Sequence, residues 1–275
     1  MTPNDHRPHR PRPVSRRAVL AAGVVAATAG LVLTGSGVAI AQPAPIRVAV
    51  ASGFAPAARQ IARRFTAQTG QPVTFEVAAS GKLYAQIVGG SGVHVFLSAD
   101  AERPARAEAA GLTAPDSRFT YALGRLVLWS PDPALIDGTG AILNRPDALP
   151  SLAIANPVTS RHGAAAVEVL ETLGLYGRLR PVTVTAADSL AVLDILTDGD
   201  AAAGFVPQSL VAKSDAGSRW LVPGDLHAPI RHQAVLMASG MRNAAARAFL
   251  SFLREPPARE IMAEYGYEPP TLPLR

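Results

Sequence analysis

From residue 46 onward, short apolar runs alternate with longer segments of helical period. Ile46 to Val50, Val73 to Val77, Val93 to Leu97, Leu126 to Trp129, Leu152 to Ala155, Ala203 to Val206 and Ala234 to Ala238 read as strands. Between the first two, Pro56 to Gln68 puts Ala57, Ile61, Ala62 and Phe65 on one helical face and turns Arg59, Arg63 and Arg64 away, with Gly70 as its stop. Further helices are expected over Lys82 to Val88, Ala164 to Leu173, Leu190 to Leu196, Asn243 to Leu253 and Ala258 to Tyr265. This alternation predicts an α/β fold with mostly parallel sheets flanked by helices.

The first 41 residues follow a different rule. Arg7, Arg10, Arg12, Arg16 and Arg17 stand against the single acid Asp5, and no charged residue occurs from Ala18 to Ala41. A basic head, an apolar stretch and the small-residue triplet Ala39-Ile40-Ala41 make an export signal ending at a cleavage site. Arg16-Arg17, after Ser15 and before Ala18-Val19-Leu20, resembles the twin-arginine signal of bacterial export. The expected location is therefore the periplasm or the cell exterior. An uncleaved signal acting as a membrane anchor is the alternative, since the stretch is just long enough to span, although its many Gly, Ala and Thr residues make it only weakly hydrophobic.

Removing the signal changes what the charge means. It takes away five of the 26 basic and one of the 21 acidic residues, and leaves a net charge of about +1. No basic stripe for collecting phosphates remains, which argues against a nucleic-acid partner. The chain has no cysteine, so disulfides, thiolate nucleophiles and structural zinc clusters are excluded together. A hydrophobic core must supply the stability, and about 230 residues suffice for one large domain or two ordinary ones.

Candidate chemistry recurs at one kind of junction, where a strand gives way to a Ser-containing turn that opens a helix. It occurs at Ser52-Gly53, Ser80-Gly81, Thr159 to Gly163, and Asp188-Ser189. Each reads as an N-cap, whose hydroxyl or carboxylate satisfies free backbone N–H groups. The same N–H groups and the helix dipole form an anion site when left open to a ligand, and Gly lets the backbone approach closely. In open α/β sheets ligands sit beyond the carboxyl ends of the strands, where all four junctions fall.

At these residues the chain resembles the periplasmic molybdate-binding proteins of molybdate ABC transporters, from Ile46 to about Glu268. The likeness rests on Val50-Ala51-Ser52, Ala79-Ser80-Gly81-Lys82-Leu83, Val95-Phe96-Leu97-Ser98-Ala99-Asp100, Leu152-Ala153-Ile154-Ala155-Asn156-Pro157, Gly204-Phe205-Val206 and Tyr265-Gly266-Tyr267. It implies a type II periplasmic-binding-protein fold, with two lobes joined by two crossing hinge strands and closing over one tetrahedral oxyanion. Lobe 1 would take residues 46–124 and 232–275, and lobe 2 residues 125–231. By position, Ser52 and Ser80 correspond to ligand-binding serines, and His162 and Ser189 to backbone donors. The resemblance further implies a monomer that hands molybdate or tungstate to a membrane permease, with no cofactor and no catalysis.

The sequence also departs from that pattern. Pro207 stands where the family usually has a tyrosine donor, Arg161-His162-Gly163 replaces a Pro-Ala-Gly loop, and Gly92-Val93-His94 replaces Pro-Ala-Asp. Another oxyanion or a small organic acid therefore stays open as ligand. His94 and His162 lack a second ligand at metal spacing, so a metal cation site is not expected. His94 is expected to be a partly exposed residue entering a strand, and His162 to offer its backbone N–H with its ring at the cleft rim. An exported hydrolase is the remaining rival, but no Gly-x-Ser-x-Gly elbow follows any strand.

Overall fold

A computed structural model of the chain describes residues 43–270, so the signal and its cleavage site lie outside the described residues. In chain order the elements are β1 (Ile46–Ala51), α1 (Ala55–Thr69), β2 (Val73–Ala78), α2 (Ser80–Val88), β3 (Val95–Ser98), α3 (Glu102–Ala109) and β4 (Phe119–Gly124). There follow β5 (Leu126–Ser130), β6 (Leu152–Ala155), α4 (Arg161–Thr172), α5 (Tyr176–Leu179), β7 (Thr183–Ala186), α6 (Ser189–Thr197), β8 (Ala203–Pro207), α7 (Gln208–Val211) and β9 (Ser218–Leu221). The chain closes with β10 (Ile230–Leu236), α8 (Ala244–Phe252) and α9 (Pro256–Glu264).

The strands form two five-stranded sheets, ordered β2-β1-β3-β10-β4 and β7-β6-β8-β5-β9. The expected helix-flanked α/β architecture is present, with mixed sheets that each have two parallel and two antiparallel ladders. In each sheet one strand runs against the other four. These are β10 and β5, the two strands that enter a sheet directly from the other one. Parallel neighbours need a crossover connection. β5 follows β4 after the single residue Arg125, and β10 follows β9 across residues 222–229, so neither has a crossover helix to reverse it.

The apolar runs of the central strands divide between two faces with period two. Ile46, Val48, Val50, Val95, Leu97, Ala234 and Leu236 pack under α1, α8 and α9, while Ala49, Phe96 and Val235 pack under α2 and α3. In the second sheet, Leu126, Leu128, Leu152, Ile154 and Phe205 face α4 and α5, and Val127, Trp129, Ala153, Ala155 and Val206 face α6. Both faces are covered, which is why these strands read as continuous apolar runs. α1 shows how the layers are fixed. Pro56 lies in its first turn, Ile61 and Phe65 are buried on its inner face, and Gly70 closes it at φ 70°. Phe65 meets Phe249 and Phe252 edge-on or tilted, 5.3 and 5.5 Å between ring centroids. A side chain buried this fully stabilises by roughly 1.5–3 kcal/mol.

Candidate functional site

The four junctions lie at the carboxyl ends of β1, β2, β6 and β7. Two are N-caps: Ser160 Oγ accepts from Gly163 N at 3.4 Å, and Asp188 Oδ1 accepts from Leu190 N and Ala191 N at 2.9 and 3.2 Å. The other two are not. Ser52 and Ser80 are the first helical residues, preceded by Ala51 and Ala79 at the cap positions, where no side-chain cap forms.

Instead, each of these serines accepts from a backbone N–H far along the chain. Ser52 Oγ accepts from Ser189 N at 3.2 Å, across 137 residues. Ser80 Oγ accepts from Ala99 N at 3.0 Å. A hydroxyl carries one donor beside its acceptor lone pairs. Among the described residues neither hydroxyl donates to an acceptor, so both O–H protons are uncommitted. Ser52, Ser80, His162 and Ser189 are each at most 3% exposed.

Further contacts join the junctions in pairs. Gly81 N donates to Thr159 O at 2.9 Å, and a Cβ on Gly81 would lie 2.9 Å from Thr159 Cα. A Cβ on Gly53 would lie 2.7 Å from Pro207 Cγ and 3.3 Å from His162 Cε1. Only glycine lets the backbones approach this closely. The first junction thus touches the third and the fourth, and the second touches the third. Ser209 Oγ and Tyr267 OH both donate to Gly53 O, at 2.6 and 3.0 Å, and Arg103 Nη2 donates to Val158 O at 2.7 Å. Each lobe therefore holds the other's junctions in place.

His162 departs from the expected rim position. Its ring is buried, 5.8 Å from the ring of His232 between centroids, and Nε2 has no partner among the described residues. No bond from its backbone N–H occurs there either, as suits the first turn of α4. Burial, followed by the neighbouring His232, Arg161 and His227, pushes the His162 pKa well below its ordinary value. Burial alone holds His232 at about 3. His94 is half-buried just before β3 and accepts from Arg47 N at 3.2 Å. Among the described residues no group of three or more His, Cys, Asp or Glu side chains is placed to hold a metal ion.

The arginines beside the third junction are paired with carboxylates. Arg161 pairs with Glu168 at 2.6 Å, and Arg103 pairs with Asp100 at 3.0 Å. Both arginines line a neighbouring cavity of about 390 Å³ together with Val158 and Arg231, and none of Ser52, Ser80, His162 or Ser189 lines it. Sequence reasoning missed Ser209 and His232. Tyr267 it had only as part of a motif, since nothing local marks a side chain whose partner is 214 residues away.

Two helix-flanked lobes with buried donors at their contact define a solute-binding protein of the type II periplasmic-binding fold. The chain belongs to the bacterial extracellular solute-binding protein family, whose pattern matches residues 46–268. It is 46% identical over 219 residues to the molybdate-binding protein ModA of Rhodobacter capsulatus, covering 80% of this chain and 86% of that one. With the molybdate-binding protein ModA of Azotobacter vinelandii it shares 42% identity over 247 residues, covering 89% and 96%. The solved periplasmic molybdate-binding protein of Azotobacter vinelandii superposes with a TM-score of 0.79 at 36% identity, covering 82% of this chain and all of that one. These relatives are named as binding proteins, in keeping with capture rather than turnover.

Proposed function

We propose that this chain is the exported, monomeric solute-binding component of an ABC importer, which captures molybdate or tungstate between its lobes and delivers it to a membrane permease in the periplasm. Residues 1–41 serve as its twin-arginine signal. Residues 46–124 with 232–275, and residues 125–231, move as the two lobes about the strands that cross at Arg125 and before Ile230. The names of its relatives favour molybdate.

The observation that carries this reading is the state of the two serines: their oxygens are engaged by Ser189 N and Ala99 N, while their protons remain free. Ser52 and Ser80 then donate hydroxyls to the anion, His162 supplies a backbone N–H, and the Ser189 N–H, which donates to Ser52 Oγ in this structure, turns to the anion when it binds. Closure is a population shift toward the state in which these donors meet around the ligand.

A site of donors with little fixed charge discriminates by protonation. Molybdate, tungstate and sulfate are fully ionised near neutral pH, whereas phosphate keeps a proton that needs an acceptor. Leaving that proton unpaired costs about 1–3 kcal/mol. Calorimetry with the mature protein should show molybdate and tungstate binding tightly, sulfate set apart by its smaller size, and phosphate far weaker. Equal affinity for phosphate would sink the donor-only site. Pro207 adds no donor to this set, so small organic acids belong in the same titration series.

A further inference from the structure

Two rings cover the backbone of Gly53, the residue after Ser52. Pro207 Cγ and His162 Cε1 would lie 2.7 and 3.3 Å from a Cβ placed there. Proline brings no N–H and no side-chain donor to this wall. His162 does bring one, and Nε2 is buried without a partner among the described residues in a side chain that is 2% exposed. Buried polar atoms are nearly always paired, so this one calls for a partner.

Its neighbours do not provide that partner. Arg161 turns to Glu168 and to Ala228 O, and Ser160 Oγ is engaged by Gly163 N. His232 faces Tyr121 OH through Nδ1 at 3.3 Å, and its Nε2 would lie 2.8 Å from a Cβ on Gly124, on the neighbouring strand of its own sheet. Its Nε2, like that of His227, is itself buried without a partner among the described residues, so neither ring is bonded to His162. Among the described residues the backbone N–H of His162, at the start of α4, is also without a partner, so backbone and ring of one residue both hold an unpartnered nitrogen there, beside the first junction.

We propose that the His162 imidazole donates its Nε2–H to the captured oxyanion and is a specificity-determining residue of the site. This rests on the oxyanion reading of the serine junctions. Kept neutral by its surroundings, the ring carries one N–H and adds no charge, so it rewards an oxygen that can only accept. It also places an aromatic wall beside Pro207 and limits the size of the anion.

The test uses mature protein and molybdate as the probe, with calorimetry and melting on wild type, His162→Phe and His162→Gln. Phenylalanine keeps a ring of similar shape and lacks the donor, so molybdate affinity should fall roughly tenfold or more, while the unliganded melting temperature holds or rises. Glutamine, with an amide N–H of similar reach, should recover part of the loss. Wild-type affinity in a folded His162→Phe would overturn the inference and leave the serine site standing, whereas a wild type that binds no oxyanion would remove the underlying reading itself. Should His162→Phe fail to fold, nitrogen-15 spectra of wild-type imidazoles decide. Molybdate should shift the His162 Nε2–H resonance and slow its exchange, and an unmoved signal overturns the proposal.

Discussion

Ser80 is held by a bond that no local motif announces. Because its oxygen accepts from Ala99 N rather than capping its own helix, Ser80→Ala has two separable effects. It strands a buried N–H, which lowers stability by about 1–3 kcal/mol. It also removes a hydroxyl donor to the anion, a charge-assisted bond of about 1.5–3 kcal/mol, or roughly tenfold or more in dissociation constant. Melting without ligand reads the first effect, and calorimetry with molybdate reads the second. A variant that melts lower but keeps its affinity would assign Ser80 to structure alone. The serines themselves were legible in the sequence, because a strand followed by Ser-Gly and a helix recurs visibly. Their partners were not, since Ser52 meets Ser189 only when two lobes come together.

At the scale of elements, the helix that presents Ser189 depends on its cap. Asp188 Oδ1 engages the N–H groups of Leu190 and Ala191 at the start of α6 and leaves Ser189 N for Ser52. Asp188→Ala should cost about 1 kcal/mol, a fall of about 2–4 °C in melting temperature for a domain of this size. Molybdate affinity should weaken only modestly, because the N–H of Ser189 is not itself a cap partner. A loss of affinity as large as that at Ser80 would mean that α6 unwinds without its cap. The central strands were legible because both their faces are buried. β7 was not, as Val184 is 41% exposed on a sheet edge, and β9 carries Arg219 in its middle. α3 holds Pro104 and four charged residues in eight, which hides its inner face of Pro104 and Ala107. β10 begins four residues before the apolar run because a bulge between His232 and Gln233 buries two consecutive polar side chains.

The whole molecule carries its most consequential pH dependence where the lobes meet. His162 comes from the second lobe and His232 from the first, their rings are 5.8 Å apart, and both are kept neutral. Burial leads in each case, with His232, Arg161 and His227 adding repulsion at His162. An unfolded or hydrated histidine titrates at about 6.5, whereas His232 does so at about 3 in the fold. Between those values the unfolded chain takes up protons that the folded chain refuses. Stability is therefore full above about pH 6.5 and falls as pH drops, by up to about 1.4 kcal/mol per pH unit for each histidine. Glu168 and Glu264 have pKa values lowered by hydrogen bonds to Arg161 and Lys213, so their contribution is lost only as pH falls below the ordinary carboxylate value of 4.5, and from pH 7 to pH 5 the histidines act without them. Melting of the unliganded mature protein should fall steadily from pH 7 to pH 5. In His232→Phe that slope should flatten, because one refused proton is gone. Saturating molybdate should raise the melting temperature at both pH values by mass action, and by less at pH 5, where charged histidines favour separated lobes. A melting temperature unchanged from pH 7 to pH 5 would mean that water already reaches both rings in the folded protein.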